Sequence, residues 1–155
     1  MTNLPVGAAV RYFHQLMGTP APDTPPLPNR EILTWDRWGL RLSLIDEEYE
    51  ELHEAFEEND AAKFLDACVD MVYVIVGTAV EAGLPFDEAF AAVHAANMEK
   101  APECGNCKYS GSGVDPECPM CAGRGRIVSF RDDGKVLKPE DWSPPDIKGL
   151  IETYR

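Results

Sequence analysis

Two groups of residues in this chain have types and spacings that can do chemistry. The first is acidic. Asp46-Glu47-Glu48-Tyr49-Glu50-Glu51 sits inside a helical periodicity in which Leu42, Ile45, Tyr49, Leu52 and Phe56 alternate steps of three and four. At about 100° per residue, Glu47, Glu48 and Glu51 fall together beside that apolar stripe, while Glu50, Glu54 and Glu57 face outward. Further on, Asp66 and Asp70 are spaced i, i+4 and share a helix face, among Leu65, Val69, Met71, Val72, Val74 and Ile75. An ionised carboxylate in apolar surroundings is costly unless it is paired or coordinates a metal. Five carboxylates on neighbouring helices repel one another, and a hard divalent cation with oxygen ligands, Mg²⁺ before others, relieves that repulsion. Mg²⁺ keeps water ligands and bridges substrate phosphates, so the pattern points to phosphate-ester chemistry. The competing explanation is a solvated helix face on which Lys63 or Arg41 pairs with the aspartates.

The second group is thiol-rich. Cys104-x-x-Cys107 and Cys118-x-x-Cys121 are separated by ten residues. Two paired-Cys turns at this distance can close a tetrahedral shell around Zn²⁺, and a site with four thiolates is closed, hence structural. The alternative is two redox pairs. The Cys118–Gly125 run is similar to the Gly-rich zinc knuckles of DnaJ-type chaperones. The stretch from Cys104 to Lys135 is slightly basic in an acidic chain. It could meet nucleic acid, a partner subunit or phosphates, and the expectation is that it stabilises the connection between core and tail. Cys68 stands alone in an apolar stretch and reads as a core thiol.

The elements that must position these groups are helices. Val6 to Met17 has amphipathic spacing, and a Pro-rich connection occupies residues 18–29. The spacing predicts a long helix over Arg30 to Glu58, broken at Asn59-Asp60, with Asp60 as N-cap of the next. That next helix, Ala61 to Ala82, is apolar nearly all round and reads as a central buried element, ended by Gly83-Leu84-Pro85. Another runs from Asp87 to about Lys100. Ile127 to Phe130 and Lys135 to Leu137, around Asp132-Asp133-Gly134, suggest a small hairpin. The tail carries Pro139, Pro144 and Pro145, with a last helical turn from Asp146. The expected fold class is all-α: a four-helix core, a small Cys₄ zinc-knuckle insert and a short β-hairpin near the C-terminus. The expected division is a helical core over residues 1–101, the knuckle over 102–126, and hairpin and tail over 127–155.

At 155 residues the chain is about one domain, with 45% hydrophobic and 26% charged residues, close to globular averages. Fourteen basic against 27 acidic residues give a net charge of −13, which argues against a nucleic-acid partner. The longest apolar run, around Val72 to Val76, is far short of the ~20 residues that span a bilayer, so no membrane partner is expected. No leader-like segment opens the sequence, and the expected compartment is the cytoplasm.

The ordered combination of motifs resembles a known group. E-E-x-x-E (Glu47, Glu48, Glu51) followed by the Asp66/Asp70 pair is similar to the all-α nucleoside triphosphate pyrophosphohydrolases. These are the MazG-like proteins, the dimeric dUTPases and phosphoribosyl-ATP pyrophosphohydrolase. H-x-x-N-M-x-K (His94, Asn97, Lys100) and K-P-x-x-W-x-P-P-D-I (Lys138 to Ile147) resemble the phosphoribosyl-ATP-pyrophosphohydrolase-like, MazG-related branch found in bacteria and phages. The resemblance covers about residues 8–100 and 131–152. One departure is visible: the second motif is usually E-x-x-D, which would put the acid at Ala67, and here it stands at Asp66.

The resemblance implies a hydrolase that splits a (d)NTP between its α- and β-phosphates into a nucleoside monophosphate and pyrophosphate. It implies Mg²⁺ on Glu48, Glu51, Asp66 and Asp70, with Glu47 orienting or deprotonating the attacking water. Asn97, Lys100 and Lys138 would contact sugar and phosphates; His94 reads as a packing or hydrogen-bonded residue and not a catalytic base, since nothing near it in sequence marks a triad. dUTP, dCTP and phosphoribosyl-ATP are the candidate substrates. Phe13, Trp35, Trp38 and Tyr73 offer faces for a base, or for core and interface packing. A four-helix core of this size leaves apolar surface uncovered, so a homodimer or tetramer is expected. The contrasting hypothesis is a zinc-knuckle binding protein without catalysis whose helical part only dimerises.

Overall fold

Six helices follow one another in the computed structural model, which describes residues 4–28, 30–109 and 114–154. They are α1 (Val6–Met17), α2 (Trp35–Glu57), α3 (Ala61–Glu81), α4 (Phe86–Met98), the single turn α5 (Gly105–Tyr109) and α6 (Ile147–Thr153). The all-α expectation holds. Residues 110–113 of the expected knuckle, and Asn29 of the Pro-rich connection, lie outside the described residues.

The hairpin does not form as expected. Among the described residues no β-strand occurs, and pairing is confined to two isolated bridges, Glu103 with Arg126 and Phe130 with Val136. The turn signal was real: Arg131 N–H donates to Lys135 O at 2.8 Å and Leu137 N–H to Ser129 O at 2.8 Å. A two-stranded ribbon without a third strand is marginal, and the ladder stops after one bridge.

Local chemistry sets the helix ends. α2 starts at Trp35, later than the apolar period suggested, because Thr34 is extended and its hydroxyl accepts from Arg37 N–H. Asp60 caps α3 as expected, accepting from Ala62 N–H at 2.9 Å and Lys63 N–H at 3.2 Å. Pro5 offers α1 no side-chain cap; instead the Asp87 carboxylate accepts from Gly7 N–H at 2.7 Å and Ala8 N–H at 3.0 Å. Gly83 ends α3 in the left-handed region, at φ 68°, and Leu84 N–H closes back on Ala79 O at 2.9 Å.

The chain divides into two compact units, one of Met1–Ala89 with Lys148–Arg155 and one of Phe90–Ile147. In the first, α3 packs against α2 and α1. Val10 of α1 meets Val76 and Val80 of α3 in a small core, with Ala21 and Phe86 against it. On α2 the side turned inward is Arg41, Leu44, Ile45, Glu48, Leu52 and Ala55, all buried or half-buried. This stripe is rotated by roughly 70° from the apolar stripe of the sequence pattern, and Glu48 lies near its centre.

Leu42, Tyr49 and Phe56 are left exposed, Phe56 by 71%. The same holds for one face of α3, where Leu65 is 65% and Val69 53% exposed. The expectation of a fully buried α3 therefore fails within one chain, because only two helices cover it.

A buried polar clamp fixes α2 on α3. The Glu81 carboxylate, 1% exposed, is paired with Arg37 and lies 4.0 Å from Arg41 Nη1. Arg41 also donates from Nε to Thr78 Oγ1 at 3.0 Å and from Nη2 to Val74 O. Within the second unit the cysteine segment is closed by Cys104 N–H on Gly125 O at 2.8 Å and Ile127 N–H on Pro102 O at 2.9 Å. Among the described residues no single helix is long and apolar enough to cross a membrane.

Candidate functional site

Glu48 on α2 and Asp70 on α3 are both half-buried and lie on the stripes by which the two helices pack. Burial first, then the charges of Asp70, Glu51, Glu47 and Asp66, push the Glu48 carboxyl above the usual carboxylate range. The other four acids expected from the sequence are thus close enough to act on the Glu48 carboxyl. Neither cation that could have neutralised them does so. Lys63 pairs with Glu58, and Arg41 is taken up by Glu81, Thr78 and Val74. Among the described residues, Asp66 and Asp70 have no ion-pair partner.

The five acids are not equivalent. Glu47, Glu51 and Asp66 are exposed. Glu51 and Asp66 face a shallow cleft of about 310 Å³, shared with Glu54, Glu58 and Lys63. Ala67, where the related motif would place its acid, is buried on the inner stripe. Asp66, one residue earlier, is turned about 100° toward the edge of the cluster. The carboxylate oxygens are not drawn into one tight ligand shell: among the described residues, only the four Cys sulfurs form a group whose atoms all lie within 4.8 Å of one another.

A second feature of the first unit is an apolar groove of about 610 Å³. Ile32, Trp35, Trp38, Ile45, Ile75 and Leu84 line most of it, with Thr78 as a polar edge. Two of the four aromatics proposed for base stacking are here. Phe13 and Tyr73 are elsewhere, packed edge to face on each other at 5.5 Å.

In the second unit, Lys100 and Lys138 gather around one indole, and Asn97 is bonded to Lys100. Lys100 Nζ donates to Asn97 Oδ1 at 2.6 Å and lies 5.2 Å from the Trp142 ring centre. Lys138 Nζ lies 4.0 Å from the same ring. Trp142 Nε1 donates to Ala96 O at 2.6 Å. Sequence reasoning quoted this Trp only within a motif; its place between two lysines depends on long-range folding. His94 is exposed, which sets aside the packing half of its expected packing or hydrogen-bonding role.

Cys104, Cys107, Cys118 and Cys121 are buried and free of disulfides. Cys104 and Cys118 sulfurs are 3.8 Å apart, and those of Cys107 and Cys121 3.5 Å. Four sulfurs about 2.3 Å from a common tetrahedral centre stand about 3.8 Å from one another, so the spacing fits a zinc shell. Asn106 Nδ2 and Gly125 N–H each donate to a sulfur, at 3.3 Å, on Cys118 and Cys121. The bond from Asn106, followed by one from the Cys121 backbone, lowers the Cys118 thiol to about 6. Cys68 is half-buried and outside this group.

The sequence profile of the phosphoribosyl-ATP pyrophosphohydrolase family matches residues 10–97. That span holds all five acids and ends at Asn97. An uncharacterized protein of Acanthamoeba polyphaga mimivirus is 38% identical over 71 residues, 46% of this chain. The chain spans 26% of that relative's length.

Proposed function

Because this chain belongs to the phosphoribosyl-ATP pyrophosphohydrolase family, within the MazG-like all-α superfamily, we propose that it is a Mg²⁺-dependent nucleoside triphosphate pyrophosphohydrolase. It cleaves between the α- and β-phosphates and releases a nucleoside monophosphate and pyrophosphate. The observation that carries this reading is the Glu48 carboxyl, half-buried among four other acids and, among the described residues, without an ion-pair partner. Such a cluster is stable at neutral pH when a divalent ion shares it.

Glu48, Glu51 and Asp70 would hold the ion, with Asp66 at the edge through its own oxygen or a water. When bound, the ion supplies Lewis-acid polarisation of phosphate oxygens and neutralises their charge. Glu47 is exposed beside Glu48 and takes the proton of the attacking water, or orients it, at a carboxylate oxygen. Asn97, Lys100 and Lys138 bind sugar and phosphates. The indoles of Trp35 and Trp38 give the groove flat faces for a base. dUTP, dCTP and phosphoribosyl-ATP are the substrates to compare.

The cysteine segment holds structural Zn²⁺, the exposed apolar faces of α2 and α3 pair with a second copy of the chain, and the working compartment is the cytoplasm. The test is pyrophosphate release from a nucleotide panel with and without Mg²⁺, in the parent and in Glu48→Gln and Asp70→Asn. Turnover that needs Mg²⁺ and is lost in both variants supports the reading. No release from any nucleotide overturns it in favour of a binding protein without catalysis.

A further inference from the structure

Lys100 and Lys138 flank the whole cysteine segment in sequence, yet their ammonium groups stand over one indole ring, at 5.2 Å and 4.0 Å from its centre. The arrangement is held at several points. Trp142 is anchored through Nε1 on Ala96 O, and Lys100 through Asn97. The excursion between the lysines is drawn shut by Ile127 N–H on Pro102 O, Cys104 N–H on Gly125 O, and Arg126 Nη1 on Ala101 O at 2.8 Å. Among the described residues, neither lysine has a carboxylate partner, in a chain with 27 acidic residues. The two ammoniums are within one Debye length, about 10 Å at 0.1 M salt, so they repel. The ring's negative face offsets part of that repulsion for each cation. A small anion with two or more charges offsets the rest, and the ammonium is a point-charge binder of phosphate.

We propose that Trp142 is a positioning residue that gathers Lys100 and Lys138 into one site for the pyrophosphate portion of the substrate. The identity of the ligand rests on the pyrophosphohydrolase reading; the existence of the site does not. Trp142 contributes no reacting group. It fixes two flexible side chains where a diphosphate can bridge them, which lowers the entropy that each would otherwise lose on binding.

The probe is inorganic pyrophosphate without Mg²⁺, titrated into the Trp35→Phe/Trp38→Phe protein, in which Trp142 is the remaining indole of the three. The expected result is a saturable change in Trp142 fluorescence that an equal concentration of sulfate does not reproduce. Lys100→Met/Lys138→Met removes it while leaving the helices intact by circular dichroism. Trp142→Leu weakens pyrophosphate binding, read by calorimetry, by about tenfold or more, and Trp142→Phe, which keeps a ring, restores most of it. In turnover, Trp142→Leu raises KM for the triphosphate and leaves kcat near the parent value.

A parent-like titration in the double lysine variant, an equal response to sulfate, or unchanged binding in Trp142→Leu overturns the proposal. Asp70→Asn separates the two readings, because it abolishes turnover and leaves this titration in place. A flat titration beside Mg²⁺-dependent turnover removes the site alone. A normal titration without turnover removes the activity alone.

Discussion

Arg41 lies so close to Gly77 that a Cβ on that glycine would stand 2.5 Å from Arg41 Nη2. His14 Nε2 would be 3.0 Å away. α1, α2 and α3 therefore meet through a glycine, with a buried guanidinium filling the space where a side chain would be. Arg41 cannot easily withdraw, because Thr78 and Val74 hold it and Glu81 balances its charge.

Gly77→Ala tests this clamp. In an exposed helix interior the change would stabilise by about 1 kcal/mol through helix propensity. Here the overpacking cost of about 1–3 kcal/mol opposes it, and the net effect is a lower Tm. Glu81→Ala is more severe, about 3–5 kcal/mol, because it leaves Arg41 buried and unpaired. Thermal melts followed by circular dichroism measure both. A higher Tm for Gly77→Ala would mean that Arg41 is not fixed at this point.

The pH dependence of stability follows from Glu48. Its carboxyl is held above the ordinary range by burial and then by Asp70, Glu51, Glu47 and Asp66. The folded state therefore disfavours the ionised form. The stabilisation linked to protonated Glu48 is complete below the ordinary carboxylate range and is lost as pH rises through the raised value. Metal-free protein is accordingly expected to gain stability on mild acidification from neutral pH. Added Mg²⁺ acts in the opposite window: it stabilises at neutral pH, by about 2.7 kcal/mol at a hundred times its Kd, and loses effect as Glu48 protonates. Tm against pH, with and without Mg²⁺, reads both trends, and Glu48→Gln flattens both. A Tm at neutral pH that ignores Mg²⁺ would argue against an ion at this cluster.

Much of this was legible in the residues, and the failures have definite physical causes. α1 coincides with the span expected from the amphipathic pattern, and α3 does so except that Ala82, expected as its last residue, is its C-cap. The acids stand out in the sequence because three of them share a side of one helix and two share a face of the next. The phase of α2 was misread. Its inner stripe is built from Arg41, Glu48 and Ala55 as well as aliphatics, and charged or small residues look like surface until the partner helix and its Glu81 are in place. Tyr49 and Phe56, which look like core, are exposed because nothing among the described residues packs over that face of α2. The Asp132-Asp133-Gly134 turn was readable; the absence of a third strand to extend its pairing was not. Trp142 is a long-range case, since nothing local tells that Lys100 and Lys138 share its ring.

The cysteine segment yields a stoichiometric prediction. Sulfurs at 3.5 and 3.8 Å, buried and free of disulfides, match a four-thiolate shell. Purified protein should carry about one zinc per chain, and each single Cys→Ser change among the four should lose it. Loss of metal should leave α1 to α3 folded, because Val10, Val76 and Val80 belong to the other unit. It should loosen the ties at Pro102 and Gly125, visible as faster amide exchange at Cys104 and Ile127. Metal-free protein with unchanged exchange there would show that the cysteines pack without an ion.

The exposed faces of α2 and α3 predict self-association. Leu65, Val69 and Val72 form one helical stripe on α3, and Leu42, Tyr49 and Phe56 form another on α2 at heptad spacing. Exposed large apolar residues in such register are a typical interface pattern, and a second copy of the chain is the occupant that makes both stripes pay off at once. The parent should elute as a dimer or larger, with a Tm that rises with protein concentration. Val69→Glu places a charge at the centre of the α3 stripe, away from the Arg41 clamp at Val74, Thr78 and Glu81. It should give a monomer by light scattering, with helix content retained and a Tm independent of concentration. A parent that is monomeric at every concentration would leave these stripes to some other surface, and the apolar groove beside Trp35 would then have to be complete within one chain.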